Sequence, residues 1–448
     1  MVNEAWEGDV LATAEKVLNL SKSDQTEVHC VRGRSFLTRF ANSEIHQNTA
    51  ERDMTITVRC VIRKRVGVAS TNRTDEVSLE EVISRAIAFA ERQPENHSFV
   101  SLPGPGQYRE AATFFRETDE FTPEDRADAV NVIIKKARKA GLVASGSFST
   151  ASYEVATVNS LGVRASGKTS LASLVTVIMG DGGSGYADRL SRNVADIDVE
   201  AAGDEAVNRC LLSRGAKAIE PGEYDVILDT YAVADMIGML SYMGFGALAF
   251  QEGRSFMTGN LGKQITGENI TIWDDGLSEP GLATRFDYEG VPKSRVDLIT
   301  GGVARGVVYD SYTAGIEGRE STGHAVSPSF AVGPYATNLF MESGTSSLGE
   351  MIDSMGRGIF VTRFHYTNPV HPVKTIFTGM TRDGTFLIEN GKIARPLKNL
   401  RFTQGILEAL SRVELISRER RLHDMMGGGA YVPRIKVKGF NFTGVTEY

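Results

Sequence analysis

The sequence predicts an α+β protein. A curved sheet with helices is expected in an N-terminal domain, residues 1–220, and a long central helix in a larger, β-dominated C-terminal domain, residues 221–448. The 46 glycines against 13 prolines favour many tight turns and bulges, which are typical of a β-rich chain. Apolar and polar residues alternate from Met54 to Ile62, the period of a half-buried strand. A Pro/Gly-rich stretch predicts a seam inside the first domain near residues 94–120.

Helices and strands are expected to alternate in the N-terminal domain. Leu11–Leu20 is predicted to be a short amphipathic helix, and the hairpin after it turns through a very polar stretch, residues 42–47. The capping box Ser78–Glu81 predicts one helix start. Thr122–Asp125, with Pro123 at the first helical position, predicts another. A further helix is predicted near Val199–Leu212.

The C-terminal domain is expected to begin at Glu220–Tyr224 (EPGEY) with a buried strand. A long helix over residues 231–250 follows, and its glycines suggest close packing, since glycine costs helix stability. The rest reads mostly as strands, with hairpins at Gly301-Gly302 and Asn390-Gly391. The apolar face of the last strand switches across Gly439, which predicts a bulge.

One short pattern matches a nucleotide-binding motif. Gly162–Thr169 (GVRASGKT) fits the phosphate-binding loop, in which Lys168 would contact the terminal phosphates and Thr169 magnesium. Such a loop must begin a helix, yet the following LASLVTVIMG is rich in β-branched residues and lies in a predicted strand meander. No cofactor-binding site is therefore assigned to this chain.

The histidines supply only isolated candidates for catalysis. None of the seven forms H-E-x-x-H, H-x-H or a helical i, i+4 pair, so no metal site is predicted. His365 and His371 could share one face of a strand, although Pro369 lies between them. His324, in the loop STGHAVSP, could act as a general base. These three histidines are the candidate catalytic residues, and no partner for them can be deduced from the sequence.

Composition narrows the class of protein. The net charge of −7 argues against nucleic acid as a partner. Three cysteines, an odd and sparse set, fit a reducing compartment. No apolar run reaches the roughly 20 residues that cross a bilayer, and the first residues do not resemble a signal peptide. We therefore expect a cytoplasmic protein with no membrane partner.

Several motifs, in a common order, resemble the TldD/PmbA family, whose PmbA branch is also called TldE and whose members are often labelled modulators of DNA gyrase. The motifs are RFANSEIHQN (residues 39–48), GVASTN (67–72), GRSFMTGNLGKQI (253–265), ATNLFMESG (336–344) and FLIENGKIARPLKNLRFTQGILEAL (386–410). Together they span nearly the whole chain.

The resemblance implies that two types of subunit have different roles. The TldD-type subunit resembles a zinc peptidase with a His-Glu-x-x-x-His helix and a late cysteine ligand, whereas the PmbA-type subunit lacks these ligands and assembles with it around a peptide chamber. The corresponding segment here, Met243–Ser255, contains no histidine, and no cysteine follows Cys210. A zinc peptidase site needs about three protein ligands, so the resemblance implies a PmbA-like chain.

The leading expectation is a metal-free subunit of a cytoplasmic TldD-type metallopeptidase complex that acts on extended peptides. Its partner would be a TldD-type homologous subunit that holds the zinc, in a heterodimer; a homodimer is the other possibility. Two alternatives remain open. One is a peptidase active on its own through His324, His365 or His371, and the other is a non-enzymatic regulator linked to DNA gyrase. The polar turn at residues 42–47 is expected to serve as scaffold or interface.

Overall fold

The computed structural model describes residues 9–328, 330, 332–425 and 427–446. Within these residues, six antiparallel strands form an N-terminal sheet in the order β3-β2-β1-β4-β5-β6. The strands are β1 (Gln25–Ala41), β2 (Glu44–Ile62), β3 (Arg65–Thr71), β4 (Val143–Asn159), β5 (Arg164–Gly180) and β6 (Gly183–Ser191). The predicted α+β class is confirmed. Residues 1–8, on which the absence of a signal peptide was judged, lie outside the described part of the chain.

The helices of this half cover one face of the sheet. They are α1 (Val10–Leu20), α2 (Glu76–Arg92), α3 (Arg116–Asp119), α4 (Pro123–Lys139) and α5 (Val199–Leu212), with a 3₁₀ turn at Val194–Asp196. Alternate β1 side chains, from Val28 and Cys30 to Phe40, face the helices and form two buried apolar clusters with them. The intervening β1 residues point to the opposite face, where the C-terminal half packs.

Helix starts depend on side-chain caps, and the two predicted starts have different outcomes. The start of α4 is confirmed, and a capping box forms there, in which the Thr122 side chain accepts from the Asp125 N–H and Asp125 accepts from the Thr122 N–H. The Ser78–Glu81 box is wrong. Asp75 caps α2 instead, accepting from the Ser78 N–H at 3.1 Å and the Ser78 hydroxyl at 2.9 Å, so Ser78 lies inside the first turn.

The polar hairpin turn is shorter than predicted. It consists of Asn42 and Ser43, both with positive φ, and Glu44 already belongs to β2. Ser43 is buried, and it exchanges two hydrogen bonds with the backbone of Ala144 in β4, at 2.9 and 3.0 Å. These contacts support a structural role for the turn.

The C-terminal half is built from a larger sheet. Its strands are β7 (Gly222–Leu228), β8 (Ile272–Asp275), β9 (Arg295–Thr300), β10 (Val303–Ala304), β11 (Asn338–Met341), β12 (Arg357–His371), β13 (Ile376–Glu389), β14 (Lys392–Pro396), β15 (Leu400–Gly405), β16 (Val413–Met425) and β17 (Gly428–Val445). Because β7 pairs with both β12 and β17, the described strands β7, β12, β13, β15 and β17 close into a barrel. Its interior holds a cluster of phenylalanine rings in mutual contact, at positions 364, 377, 402 and 440.

The central helix is present but interrupted. It consists of α6 (Thr230–Leu240), a π turn at Ser241–Phe245 and α7 (Ala247–Gln251). A Cβ at Gly246 would lie 2.2 Å from the carbonyl oxygen of Pro334. The glycines therefore permit close packing, as predicted, and the same glycines break the helix. The remaining short helices are α8 (Ser311–Glu317), α9 (Leu348–Asp353), α10 (Ile406–Ser411) and a 3₁₀ turn at Pro372–Lys374.

The predicted hairpins and the predicted bulge are present in the C-terminal sheet. The hairpins at Gly301-Gly302 and Asn390-Gly391 are confirmed, and the register of β17 shifts between Val437 and Phe440, around Gly439. The phosphate-loop reading of Gly162–Thr169 is wrong, because Arg164 opens β5 and no helix follows. In the described part of the chain, no helix has both the length and the apolar character needed to cross a membrane.

A glycine in β6 sets how closely α5 packs on the sheet. A Cβ at Gly185 would lie 2.0 Å from the Ala206 carbonyl oxygen and 2.6 Å from the Cys210 nitrogen. We expect Gly185→Ala to lower the free energy of unfolding by about 1–3 kcal/mol in denaturant titrations, because the helix must shift. The control Gly444→Ala, in β17 with no atom within 4 Å of its Cβ, should change it by less than about 0.5 kcal/mol. Equal effects would contradict this explanation.

Candidate functional site

A loop of the C-terminal half, residues 287–291, docks on the sheet face opposite the helices. The Tyr288 ring stacks on His29 of β1 with centroids 3.8 Å apart. The Thr157 hydroxyl donates to the Tyr288 carbonyl at 3.3 Å. Gly290 lies in the left-handed region, φ +75°, and a Cβ there would lie 2.6 Å from Val163. This close fit joins the two halves and forms one side of a cleft.

A buried charged triad fixes the same loop to the sheet. The Arg59 guanidinium lies between Glu27 and Glu289, with N–O distances of 2.7 and 2.9 Å. Burial raises the pKa of Glu27 to about 7, and the charge of Glu289 adds to the rise, although Arg59 opposes both. Two carboxyls that share one guanidinium favour a neutral form of Glu27.

Beside this loop, a cleft of about 410 Å³ lies between the two halves. Among the described residues that line it are four cationic side chains, Lys168, Arg192, Arg285 and Lys293, and one carboxylate, Asp287. The other lining residues are His29, Thr113, Val155, Gly167, Thr169, Leu282, Thr284, Phe286, Tyr288, Ala325, Val326, Ser327, Thr337, Gly427 and Gly428. The volume is that of a small-ligand site, and the charge is predominantly positive.

Arg192 is held by backbone oxygens and not by a carboxylate. Its guanidinium donates to the carbonyl of Ser170 at 3.0 Å and to those of Leu282 and Ala283 at 3.3 and 3.1 Å. Burial lowers the pKa of Arg192 to about 10. Within the described residues, its buried Nε has no hydrogen-bond partner. The cleft therefore contains a fixed positive charge that no carboxylate in the described part of the chain neutralises at hydrogen-bond distance.

Lys293 supplies a second buried cation. The residue is 7% exposed, and its Nζ donates to the Thr337 hydroxyl at 3.3 Å. Burial lowers the pKa of Lys293, while the charges of Asp274 and Asp287 oppose the shift. The lysine stem passes over Gly276, where a Cβ would lie 2.7 Å from its Cγ and Cδ. The glycine thus leaves the space that lets the ammonium reach the cleft.

His324, a predicted general base, lies behind Lys293 and does not line the cleft. It is fully buried, with Nε2 at 2.8 Å from Asp274 Oδ1 and Nδ1 at 2.9 Å from the Thr322 hydroxyl. Burial lowers the pKa of His324, and the charge of Lys293 lowers it further, against the attraction of Asp274. Both ring nitrogens already have partners, so the geometry is that of a satisfied core histidine.

The other two predicted histidines lie on β12. The His365 ring contacts Tyr366 edge-on with centroids 4.7 Å apart, and burial lowers the pKa of His365. Nδ1 of His371 accepts from the Lys374 N–H at 3.4 Å. Two register shifts in the pairing of β12 with β13 separate these histidines. The structure therefore does not bring them together with His324 at the cleft.

The segment where the family resemblance would place metal ligands is filled by apolar side chains. Buried here are Met243, Phe245, Ala247 and Ala249. The Gln251 amide donates to the Thr313 carbonyl at 2.8 Å and to Glu317 at 2.9 Å, and Glu252 pairs with Arg254. Across the described ranges, no group of three or more His, Cys, Asp or Glu residues could hold a metal ion. This donor set does not fit zinc.

Sequence reasoning missed Arg192, Arg285, Asp287 and Lys293, whereas Lys168 and Thr169 line the cleft but were singled out for another reason. Arg192 and Lys293 match no motif, and their contacts come from residues far away in the chain, such as Ala283 for Arg192. The only local signals are Gly276 and the polar residues of the loop 287–291, which are common in turns.

Three family models match successive parts of the chain. The PmbA/TldA metallopeptidase domain 1 matches residues 26–90, the central domain matches residues 109–214, and the C-terminal domain matches residues 221–444. These matches confirm the resemblance that the motifs indicated.

Individual proteins are similar over different lengths. An uncharacterized protein of Methanocaldococcus jannaschii is 27% identical over 79% of this chain and 82% of that protein. A metalloprotease TldD homolog of Buchnera aphidicola is 28% identical over 52% of this chain, but the match spans only 48% of that protein. The crystal structure of TldE from Thermococcus kodakarensis superposes with a TM-score of 0.86 and 24% identity, covering 97% of this chain and 99% of that one. This likeness establishes the fold.

Proposed function

Because the chain belongs to the PmbA/TldD metallopeptidase family, we propose that it is a PmbA-type subunit that assembles with a TldD-type metallopeptidase chain. The pair acts on extended peptides, and the partner holds the zinc. In this proposal the present chain binds no metal and shapes the space that receives the peptide. The assembly is cytoplasmic.

The observation that carries the proposal is the packing of Met243–Ser255. A zinc helix needs imidazole or carboxylate ligands that project towards an open position for water. Here the buried side chains are apolar except that of Ser255, whose hydroxyl donates to the Gly244 carbonyl at 2.6 Å. The polar side chains Gln251 and Glu252 are hydrogen-bonded to neighbouring residues. Activation of water by this segment is therefore not supported, and a second chain would have to supply that chemistry.

An autonomous peptidase built on His324 has less support. A general base must reach the proton that it removes, directly or through one water. His324 is fully buried and bonded through both ring nitrogens, to Asp274 and Thr322. His365 and His371 do not line the cleft, and no described feature favours a role as a regulator linked to DNA gyrase.

Co-expression tests the proposal. The chain would be produced alone and together with a TldD-type chain that carries His-Glu-x-x-x-His, and each sample analysed by light scattering, zinc content and cleavage of a mixed peptide library. We expect cleavage and zinc only when the TldD-type chain is present, and a complex that contains both chains.

A matched control is the partner in which the glutamate of His-Glu-x-x-x-His is replaced by glutamine. It should assemble equally well and lose cleavage, which separates assembly from chemistry. Stoichiometric zinc and peptide cleavage by the isolated chain would overturn the proposal, as would a failure of the two chains to associate.

A further inference from the structure

We propose that the cleft between the two halves binds the C-terminal carboxylate of a peptide, with Arg192 and Lys293 as its cationic partners. The identification of the ligand as a peptide rests on the proposed function. The binding of a carboxylate at this position rests on the geometry of the cleft itself.

The charge balance identifies which cations are available. Lys168 pairs with Glu154 at 2.7 Å, and Arg285 pairs with Glu110 at 2.8 Å. Among the described residues, Arg192 has only carbonyl partners, and Lys293 has only a hydroxyl at hydrogen-bond distance. These two cations, both lining the cleft, therefore provide the positive charge that an anionic ligand would meet.

Both cations also have hydrogen bonds left to give. An ammonium has three donors, and the described contacts of Lys293 use one of them. The Nε–H of Arg192 is buried and unpartnered in the described part of the chain. Leaving buried donors unpaired is energetically unfavourable. A carboxylate has two oxygens that can accept several such bonds, so it matches what these side chains lack.

Asp287 does not cancel this attraction. Its Oδ1 accepts from the N–H groups of Glu289 and Val291 at 3.0 and 2.9 Å, and its Oδ2 accepts from Ala325 N–H at 2.8 Å. Burial, aided by Glu289, raises the pKa of Asp287 to about 8. The carboxyl is thus held by backbone N–H groups of its own loop and of Ala325, and its burial favours the neutral form.

The cations are held in place before a ligand arrives. Three carbonyl contacts fix Arg192, and Gly276 and Thr337 confine Lys293. Fixed partners reduce the entropy lost on binding. A volume of about 410 Å³ accommodates a short segment, which favours the end of a peptide over a chain passing through.

Calorimetry on the full chain tests the inference with four probes. They are N-acetylated tetra-alanine with a free C-terminal carboxylate, the same peptide as its C-terminal amide, the amide carrying one internal aspartate, and inorganic phosphate. We expect the free acid to bind about tenfold or more tightly than the amide, since charge-assisted hydrogen bonds exceed neutral ones. In Lys293→Met this preference should disappear.

Lys436→Met is the matched control, because Lys436 is also 7% exposed and its ammonium contacts Ser354 and Glu414 away from the cleft. It should retain the preference for the acid. Equal or absent binding of acid and amide by the wild-type chain would overturn the inference without any variant. Binding of the internal aspartate peptide or of phosphate as tightly as the free acid would overturn the assignment to a peptide terminus.

These outcomes separate the inference from the proposed function. If the chain assembles with the TldD-type partner but shows no preference for the acid, the carboxylate site is wrong and the subunit role stands. If the preference is found but the chains do not associate, the reverse holds.

Discussion

Replacing Asp229 with alanine is expected to lower the free energy of unfolding by about 3–5 kcal/mol, because the substitution leaves the Arg434 guanidinium without a carboxylate partner among the described residues and leaves Arg209 with Glu205 alone, at 2.9 Å. Asp229 is fully buried and pairs with Arg209 of α5 and, at 2.7 Å, with Arg434 of β17. It also caps α6 by accepting from the Thr230 N–H at 2.8 Å. One carboxylate therefore links the N-terminal helix layer, the barrel and the central helix. Denaturant titration would measure the change.

Glu223, in the strand β7 that precedes Asp229, provides a control because its ion pair is exposed. Glu223 pairs with Arg412 at 2.8 Å, but both side chains are exposed, at 61% and 40%. Glu223→Ala should cost less than about 1 kcal/mol. Asp229→Asn preserves shape but removes the charge, and its loss should approach that of the alanine variant. A small effect of both Asp229 substitutions would show that the ion pairs contribute little.

The stability of the Glu27→Gln variant relative to wild type is expected to rise with pH by up to about 3 kcal/mol between pH 5 and pH 8. The pKa of Glu27 is raised from 4.5 to about 7 in the folded protein, chiefly by burial. The folded state therefore binds the extra proton between these values. Its contribution to stability is fully present below pH 4.5 and is lost as pH rises through 7. Glutamine cannot ionise, so the variant escapes this loss.

The measurement is a series of denaturant titrations on both proteins from pH 5 to pH 8. His29 acts in the opposite sense, because burial lowers its pKa to about 4 and its contribution is lost as pH falls from 6.5; it is present in both proteins and cancels.

Glu205→Gln is the control. Arg209, Arg421 and Arg189 keep the pKa of Glu205 below its usual value although burial opposes them. Glu205 stays ionised in both the folded and the unfolded state from about pH 5.5 upwards, so its difference from wild type should be flat above that pH. A flat difference for Glu27→Gln as well would contradict a raised pKa.

Local signals predicted much of the fold. Helix α5 has the predicted bounds, Val199–Leu212, and the Thr122–Asp125 helix start, the Asn390-Gly391 hairpin and the Gly439 bulge are all present. Each of these features depends on residues that are close together in the sequence, where helix capping and turn propensity act directly.

Predictions were wrong where two residues could each cap the same helix, or where pairing with neighbouring strands outweighed a local motif. Asp75 and Ser78 could each cap α2, and the carboxylate of Asp75 takes both polar groups of Ser78. The GVRASGKT pattern was overridden because β5 pairs with β4 from Arg164 onwards, which makes these residues part of a strand. The cleft was not predictable, because Lys293 and Arg192 come together there only when the two halves pack against each other.

The closure of the barrel has a consequence for the time course of biosynthesis. β7 is made at residues 222–228, yet its partner β17 follows only at residues 428–445. At ordinary translation speeds, roughly ten to forty seconds separate the two strands on the ribosome. During this interval β17 does not yet cover the phenylalanine-rich interior of the barrel. Pairing of strands that lie far apart in the sequence, such as β7 and β17, is also slow. The barrel of the C-terminal half therefore cannot close until β17 has been synthesised.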